Sequence, residues 1–193
     1  MKQLLLLFIT TIILFNGYAQ TSIPSNITTW KNNAKSAYTL THDDFGLTNV
    51  NGIENYADTI AYNRNLPIAF GAVPGQCDEQ DWKISKRLLS HGHEIMNHTW
   101  NHKCGNPFAE SWCTAFGVWG EDDFDVELVD AHNAIKSGSG AAPRFFIYPF
   151  DQFVTEMNTY LIEELNYVGT RTGPYDNGLN SADITDPAFP GFY

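Results

Sequence analysis

Basic residues are scarce in this 193-residue chain, which has 11 lysines and arginines against 22 aspartates and glutamates and a formal net charge of −11. The basic residues are spread along the sequence and form no cluster. Nucleic-acid partners are therefore not expected, because their phosphates require grouped lysine and arginine side chains. The acidic balance suits a neutral or cationic partner, or simply solubility.

Long apolar runs are also lacking. The main one, at residues 4–15, is shorter than the roughly 20 residues that a membrane-spanning helix needs. Lys2 precedes it and the small residues Gly17 and Ala19 follow it, which is the order of a secretory signal. We predict that residues 1–19 are a signal peptide and that the protein is secreted or periplasmic, without a stable membrane anchor. An uncleaved anchor is the alternative.

Cysteine is sparse as well, with Cys77, Cys104 and Cys113 as the whole set. Disulfides are permitted in an exported protein, but an odd number leaves one thiol over. Cys104 and Cys113 could close a short loop, which would leave Cys77 free. The spacing contains no CxxC pair, so these thiols are not candidate metal ligands.

Short apolar runs alternate with amphipathic helical patterns along the rest of the chain. The runs predict strands at residues 37–41, 66–73, 94–96, 145–148 and 167–170. The helical patterns lie at residues 53–61, 78–91, 124–135 and 154–165. This alternation predicts an α/β fold with a mainly parallel sheet, in one domain spanning residues 20–193. A closed barrel needs more strands, so we expect a fold that is incomplete at the C-terminus.

Polar clusters follow three of the predicted strands, at residues 41–44, 97–102 and 148–151. In parallel α/β folds the carboxyl ends of the strands meet at one edge, where ligands bind. We therefore expect side chains from the three clusters to be neighbours in space.

Two histidines and two aspartates in these clusters have the chemistry of a metal site. His98 and His102 are four residues apart, so on a helical turn both rings would face the same way. Two imidazoles and one carboxylate leave positions open for water and substrate. Asp43 and Asp44 project differently, so one can bind metal while the other faces the water. Surface histidines and an acidic turn are the alternatives.

The motifs T-H-D-D, G-H-E-I, H-T-W-N-H and Y-P-F occur in this order along the chain. Together they resemble the polysaccharide deacetylase (NodB-homology) family, over about residues 37–171. The resemblance implies a distorted (β/α) barrel of the polysaccharide deacetylase type.

The resemblance also implies roles for individual residues. Asp43 matches the general base, and Asp44, His98 and His102 match the ligands of one divalent metal ion. We expect Zn²⁺, with Co²⁺, Ni²⁺ or Fe²⁺ as alternatives. Phe150 stands where the family has a tyrosine whose backbone N–H helps to hold the oxyanion, and a phenylalanine keeps that donor.

Aromatic side chains near these motifs are candidates for substrate binding. Trp100 lies between the two histidines and Tyr148 lies in the Y-P-F motif. We predict that both contact substrate, and packing in the core is the alternative.

Several positions depart from the family pattern. His42 replaces a phenylalanine, and Asp151 replaces a frequent glycine. Ile147 or Tyr148 stands where the family often has an arginine that orients the base. The later Leu-x-His that supplies the general acid has no counterpart, since the last histidine is His132. The chain is thus either an incomplete copy of a longer protein, which we expect, or a disabled homologue.

The resemblance therefore implies a monomeric, metal-dependent hydrolase that removes N- or O-linked acetyl groups from a polysaccharide such as chitin-like, peptidoglycan or xylan chains. A non-catalytic carbohydrate-binding homologue is one alternative. A hydrolase of small amides that uses the same three ligands is the other.

Overall fold

The computed structural model describes residues 39–47, 51–105 and 111–172. The predicted signal peptide and everything after Thr172 lie outside these residues. Within the described ranges, no helix combines the length and the apolar character needed to cross a membrane.

The described residues form one parallel sheet whose spatial order follows the sequence, β1-β2-β3-β4-β5. Each strand pairs in parallel with the next. The strands are β1 (Thr41–Phe45), β2 (Ala69–Ala72), β3 (Glu94–Asn97), β4 (Phe145–Ile147) and β5 (Gly169–Arg171). A sheet that never reverses its order winds in one direction, as in a β/α barrel and unlike a doubly wound sheet. The predicted parallel α/β architecture is confirmed.

Helices lie between the strands; four of them overlap the predicted helical patterns, and one short helix between β3 and β4 was not predicted. They are α1 (Asp58–Asn63), α2 (Glu79–Ser90), α3 (Ser111–Thr114), α4 (Ala131–Ser139) and α5 (Thr155–Glu163). Wider π-helical turns at Ile53–Ala57 and Asp125–Asp130 precede α1 and α4. Asp78 caps α2 through hydrogen bonds from the backbone N–H groups of Gln80 and Asp81, which explains the sharp start of this helix.

The first strand lies further along the chain than the sequence predicted. We expected residues 37–41, with the aspartates following the strand, but Asp43 and Asp44 are inside β1. Phe45 ends the strand in the core, packed edge-on against Phe70 with ring centroids 6.4 Å apart. A register shift between His42 and Phe45 accommodates the two acidic residues.

Two groups of buried apolar side chains hold the sheet between its helices. One joins β1, β2 and β3 to α1, α2 and α4, and includes Phe70, Leu88 and Ile135. The other packs β4 against α5, and includes Phe146 and Leu161. Each fully buried side chain of this size contributes about 1.5–3 kcal/mol to folding, so the core fixes the strand ends from which the polar clusters project.

A buried carboxylate organises the amino-terminal side of β3. Asp58 is 2% exposed and lies 2.9 Å from Arg87 Nε, 2.7 Å from His91 Nδ1 and 3.2 Å from His93 Nε2. Burial alone would raise the pKa of Asp58, but the hydrogen bond with His91 and the charge of Arg87 together hold it below its usual range. The carboxylate is therefore ionised and paired at neutral pH.

Replacing Asp58 by alanine should lower the free energy of unfolding at pH 7 by about 3 kcal/mol, because it removes one member of a buried charged network. The difference in free energy of unfolding between Asp58→Ala and the unaltered chain should become smaller in acid. A carboxylate with a depressed pKa contributes stability that is lost as pH falls through that pKa. Urea unfolding at several pH values measures both effects. Glu79→Ala is the control: its exposed pair with Lys83 is worth at most about 0.5 kcal/mol. Equal losses of unfolding free energy in Asp58→Ala and Glu79→Ala would contradict the assignment of Asp58 as an ionised member of a buried network.

Candidate metal centre

Three potential ligand atoms converge at the carboxyl edge of the sheet. Asp44 Oδ1 lies 3.0 Å from His102 Nε2 and 3.4 Å from His98 Nε2. The two Nε2 atoms are 3.1 Å apart. The three residues form the only group with this geometry in the part of the chain that the structure describes, with all ligand atoms within 4.8 Å. The predicted convergence is confirmed.

His98 is oriented by its other ring nitrogen. Nδ1 lies 2.8 Å from the backbone carbonyl oxygen of Ile147, and a carbonyl can only accept a hydrogen bond. Nδ1 therefore carries the hydrogen, and in the neutral ring Nε2 presents its lone pair toward His102 and Asp44. Metal-binding histidines commonly have this arrangement.

The segment that carries both histidines is a loop, and the helical turn expected from their spacing is absent. Thr99 and His102 have φ values of 62° and 59°, in the left-handed region that interrupts a helix. The His102 N–H donates to Thr99 Oγ1 at 3.0 Å, and the Thr99 N–H donates to Asn97 Oδ1 at 2.9 Å. These bonds hold the loop in a shape that still brings the two rings together.

A buried glutamate anchors the same loop. Glu127 is 0% exposed and accepts hydrogen bonds from the Asn101 backbone N–H at 2.9 Å and from Asn101 Nδ2 at 2.7 Å. Its backbone carbonyl accepts the Trp100 N–H at 3.2 Å. We did not predict this role, although a charged residue beside the apolar stripe of Leu128 and Ala131 was a signal for it.

Asp44 is the half-exposed member of the trio. Hydrogen bonds with His102 and then His98 hold the pKa of Asp44 far below its usual range, although burial opposes them. Its φ of 66° is one that aspartate tolerates better than most residues. The residue is thus an ionised carboxylate aimed at the two imidazoles.

Asp43 lies beside this trio and pairs with an arginine that the sequence analysis missed. Arg171 Nη1 is 2.9 Å from Asp43 Oδ1 and 2.7 Å from Oδ2. Arg171 is the last residue of β5, and its register partner on β4 is Ile147, one of the two positions where we noted the missing family arginine. Its position as a charged residue at the carboxyl end of a strand was the signal that could have placed Arg171 near the site.

Aromatic rings cover one side of the centre. The Phe150 ring lies 4.5 Å from the His102 ring between centroids, and the Phe116 ring lies 5.4 Å from each of them. Phe116 is 43% exposed and was not predicted. It follows the Cys104–Cys113 disulfide, which is present as expected, and Cys77 is free.

The structure corrects one predicted substrate contact. Tyr148 is 1% exposed, and its ring packs against Phe146 and Phe153. Burial raises the pKa of its hydroxyl. Tyr148 belongs to the core and offers no surface to a polysaccharide, because apolar packing at the end of β4 outweighs its polar tip.

Trp100 and His42, two motif residues, have different surroundings. The Trp100 indole packs over Gly75, where an added Cβ would come within 2.7 Å of its Nε1, and its role toward substrate stays a prediction. His42 contacts the ring of the core residue Phe70 at 5.8 Å. The neighbour of Phe70, Gly71, faces His98 instead, so His42 is on the opposite face of the sheet from the centre.

The family profile of polysaccharide deacetylases matches residues 31–172. The chain belongs to the polysaccharide deacetylase family. No curated protein sequence matches it. Similar solved structures include a deacetylase from Streptococcus pyogenes in complex with acetate, at 17% identity and a TM-score of 0.56, covering 72% of this chain and 57% of that one.

Two further structures have the same fold. The Xyl-CE4 domain of a multidomain xylanase from the hindgut metagenome of Trinervitermes trinervoides has 18% identity and a TM-score of 0.51, covering 63% of this chain and 52% of that one. A CE4 family pseudoenzyme from Bacillus anthracis has 16% identity and a TM-score of 0.50, covering 68% and 41%. The expected barrel type is confirmed. The chain spans about half the length of the first solved structures that it matches.

The residues at the centre fit a divalent cation. Two imidazole nitrogens and one carboxylate oxygen converge, at least one of the nitrogens has its lone pair fixed toward the others, and the carboxylate is ionised. Such a donor set suits Zn²⁺ and similar ions and leaves coordination positions open. Asp43 directly precedes Asp44 in β1.

His98→Ala should weaken Zn²⁺ affinity by more than about 100-fold, because loss of a ligand exceeds the 10–100-fold effect of outer contacts. Asp43→Asn should leave the affinity within about twofold, since it retains all three ligands. Competition with a chromophoric chelator measures both constants. Equal affinity for His98→Ala and the unaltered chain would exclude this centre.

Glu127→Gln should weaken Zn²⁺ affinity by about 10-fold, because the loop that carries both histidines loses part of its buried anchor. Glu156→Gln is a matched control at an exposed position of α5. The same chelator competition applies, with circular dichroism to verify folding. An unchanged affinity in the folded Glu127 variant would show that the anchor does not act on the metal ligands.

Proposed function

We propose that this chain is a metal-dependent hydrolase that removes acetyl groups from a polysaccharide, with one divalent cation held by Asp44, His98 and His102. The observation that carries the proposal is the convergence of these ligand atoms, with a second carboxylate on Asp43, the residue directly before Asp44 in β1. Family membership supports the same reaction class.

Each group has a chemical task in this proposal. When bound, the cation supplies Lewis acidity, which acidifies water and polarises a carbonyl oxygen. Asp43 accepts the proton of the attacking water as general base. The backbone N–H of Phe150 donates a hydrogen bond to the oxygen that becomes negative in the transition state. Phe116 and Phe150 form an apolar wall next to His102, where a methyl group or sugar face would be shielded from water.

We propose Zn²⁺ as the cation, because two neutral imidazoles and a carboxylate are ligands that it accepts in catalytic sites. Co²⁺, Ni²⁺ and Fe²⁺ share this preference. The one free thiol of the described residues, Cys77, has a pKa raised by burial first and then by the charges of Asp81 and Asp78. Because the thiolate is the form that binds metal, a thiol with a raised pKa competes poorly as a ligand.

We propose an acetylated, uncharged or cationic polysaccharide as substrate, such as xylan, chitin-like or peptidoglycan chains. The net charge of −11 supports this class over polyanions. One structure of the same fold comes from a xylanase, which makes acetyl-xylan a sensible first substrate. Export through the predicted signal peptide would bring the protein to such polymers.

A non-catalytic carbohydrate-binding protein is the second candidate. It is favoured by the pseudoenzyme that shares the fold. Against it, Asp43 and the three metal-ligand positions all remain, and Arg171 contacts Asp43. A hydrolase of small amides would use the same ligands and differ only in substrate.

The Zn²⁺-loaded chain should release acetate from acetyl-xylan faster than from acetylated chito-oligosaccharides, because amines leave poorly without a proton donor whereas esters depend on it less. Chelator should stop release, and Asp43→Asn should reduce it by about 100-fold or more while Zn²⁺ stays bound. Enzymatic acetate detection measures the rates. Zn²⁺ binding and polysaccharide binding without acetate release would instead support the binding protein. Faster release from small N-acetyl amides than from any polymer would support the amide hydrolase.

A further inference from the structure

Two departures from the family motifs meet at one guanidinium. Ile147 or Tyr148 stands where the family often has an arginine, and Asp151 stands where it frequently has a glycine. Arg171 is the register partner of Ile147 on the neighbouring strand, and its Nη2 lies 3.7 Å from Asp151 Oδ1. Its Nη1 lies 2.7 and 2.9 Å from the two carboxylate oxygens of Asp43. The positive charge absent from β4 is therefore supplied from β5.

Arg171 is well placed to fix the direction of Asp43. Its backbone carbonyl accepts the Tyr148 N–H at 2.9 Å, so the stem of the side chain begins from a paired strand. The guanidinium is about one-third exposed, as is the Asp43 side chain. Contact with both oxygens of Asp43 restricts rotation of that carboxylate, and a planar guanidinium loses little freedom in doing so.

Asp151 connects the same guanidinium to the turn that carries Phe150. Phe150 and Asp151 have φ values of 56° and 57°, which cost an ordinary residue about 1–2 kcal/mol each relative to glycine. Glycine at position 151 would avoid that cost. The carboxylate of Asp151 offsets part of it by its attraction to Arg171.

We propose that Arg171 is a positioning residue that bridges Asp43 and Asp151, and so fixes the general base relative to the turn that provides the Phe150 N–H. This inference rests on the proposed function. Arg171 and Asp151 together take the place of the arginine and glycine of the family motif. The contact that orients the base is accordingly present, although the arginine of the family motif is missing.

Arg171→Ala should lower kcat for acetate release from acetyl-xylan by about 100-fold, the effect of a misplaced catalytic group, with KM and Zn²⁺ affinity within about twofold of the unaltered chain. Added methylguanidinium should restore at least about 10-fold of the lost kcat by occupying the vacated space. It should not rescue Asp43→Asn/Arg171→Ala, which lacks the base. Arg144→Ala, a matched exposed arginine before β4, should change neither kcat nor the response to methylguanidinium.

Asp151→Gly separates positioning from folding. It should lower kcat a few-fold while the free energy of unfolding stays equal or rises, because glycine accepts a positive φ without strain. Unchanged kcat in Arg171→Ala would overturn the inference, as would a loss that methylguanidinium does not restore. An unaltered, Zn²⁺-loaded chain that releases no acetate would reject the proposed function, and the role of Arg171 in turnover with it.

Discussion

Two imidazole nitrogens and a carboxylate oxygen face one another at 3.0–3.4 Å at the edge of the sheet. Lone pairs at this separation repel unless a proton or a cation lies among them. His98 has only one nitrogen to offer, because the other is committed to Ile147. The residues around the centre hold these three atoms together against that repulsion.

The contacts that hold the ligand atoms in place come from several elements of the fold. Thr99 and Glu127 hold the histidine loop, which contains two residues in the left-handed region. Gly71 on β2 leaves room for His98, since an added Cβ would lie 2.8 Å from Ile147 Cδ1 and 3.4 Å from His98 Cβ. The parallel register of β2 with β3 then fixes where His98 begins. Strain of this kind persists when a fold over-determines it, and it is concentrated at functional sites.

The sequence predicted what local patterns encode. Alternating strand and helix signals gave the order of elements, and the rule that polar residues gather at the carboxyl edge brought Asp44 to the two histidines. Prediction from the sequence failed where tertiary contacts override local preference. The β1 strand was placed too early because the polar residues Asp43 and Asp44 were expected to follow it, whereas burial of Phe45 extends the strand through them. The spacing of the two histidines also suggested a helical turn at His98. The segment is a loop instead, held by hydrogen bonds to Thr99 and Glu127.

Contacts between distant segments were beyond prediction from one sequence. Arg171 and Asp43 meet only in the folded chain, because they come from β5 and β1, the two ends of the strand order. Nothing local distinguishes Tyr148, which is core, from Phe116, which lies exposed beside His102. The missing arginine near Tyr148 was noted as a departure from the family pattern, yet the described structure supplies a guanidinium to Asp43 from another strand.

The central claim is that Asp44, His98 and His102 hold one divalent ion, and X-ray absorption spectroscopy of the Zn²⁺-loaded chain tests it most directly. The account predicts one ordered zinc with nitrogen and oxygen neighbours at about 2.0–2.2 Å, two of them imidazoles, and no sulfur. A sulfur neighbour at about 2.3 Å would place the ion on Cys77, and a spectrum of hydrated zinc alone would show that the three residues do not bind it. Either result would contradict the account.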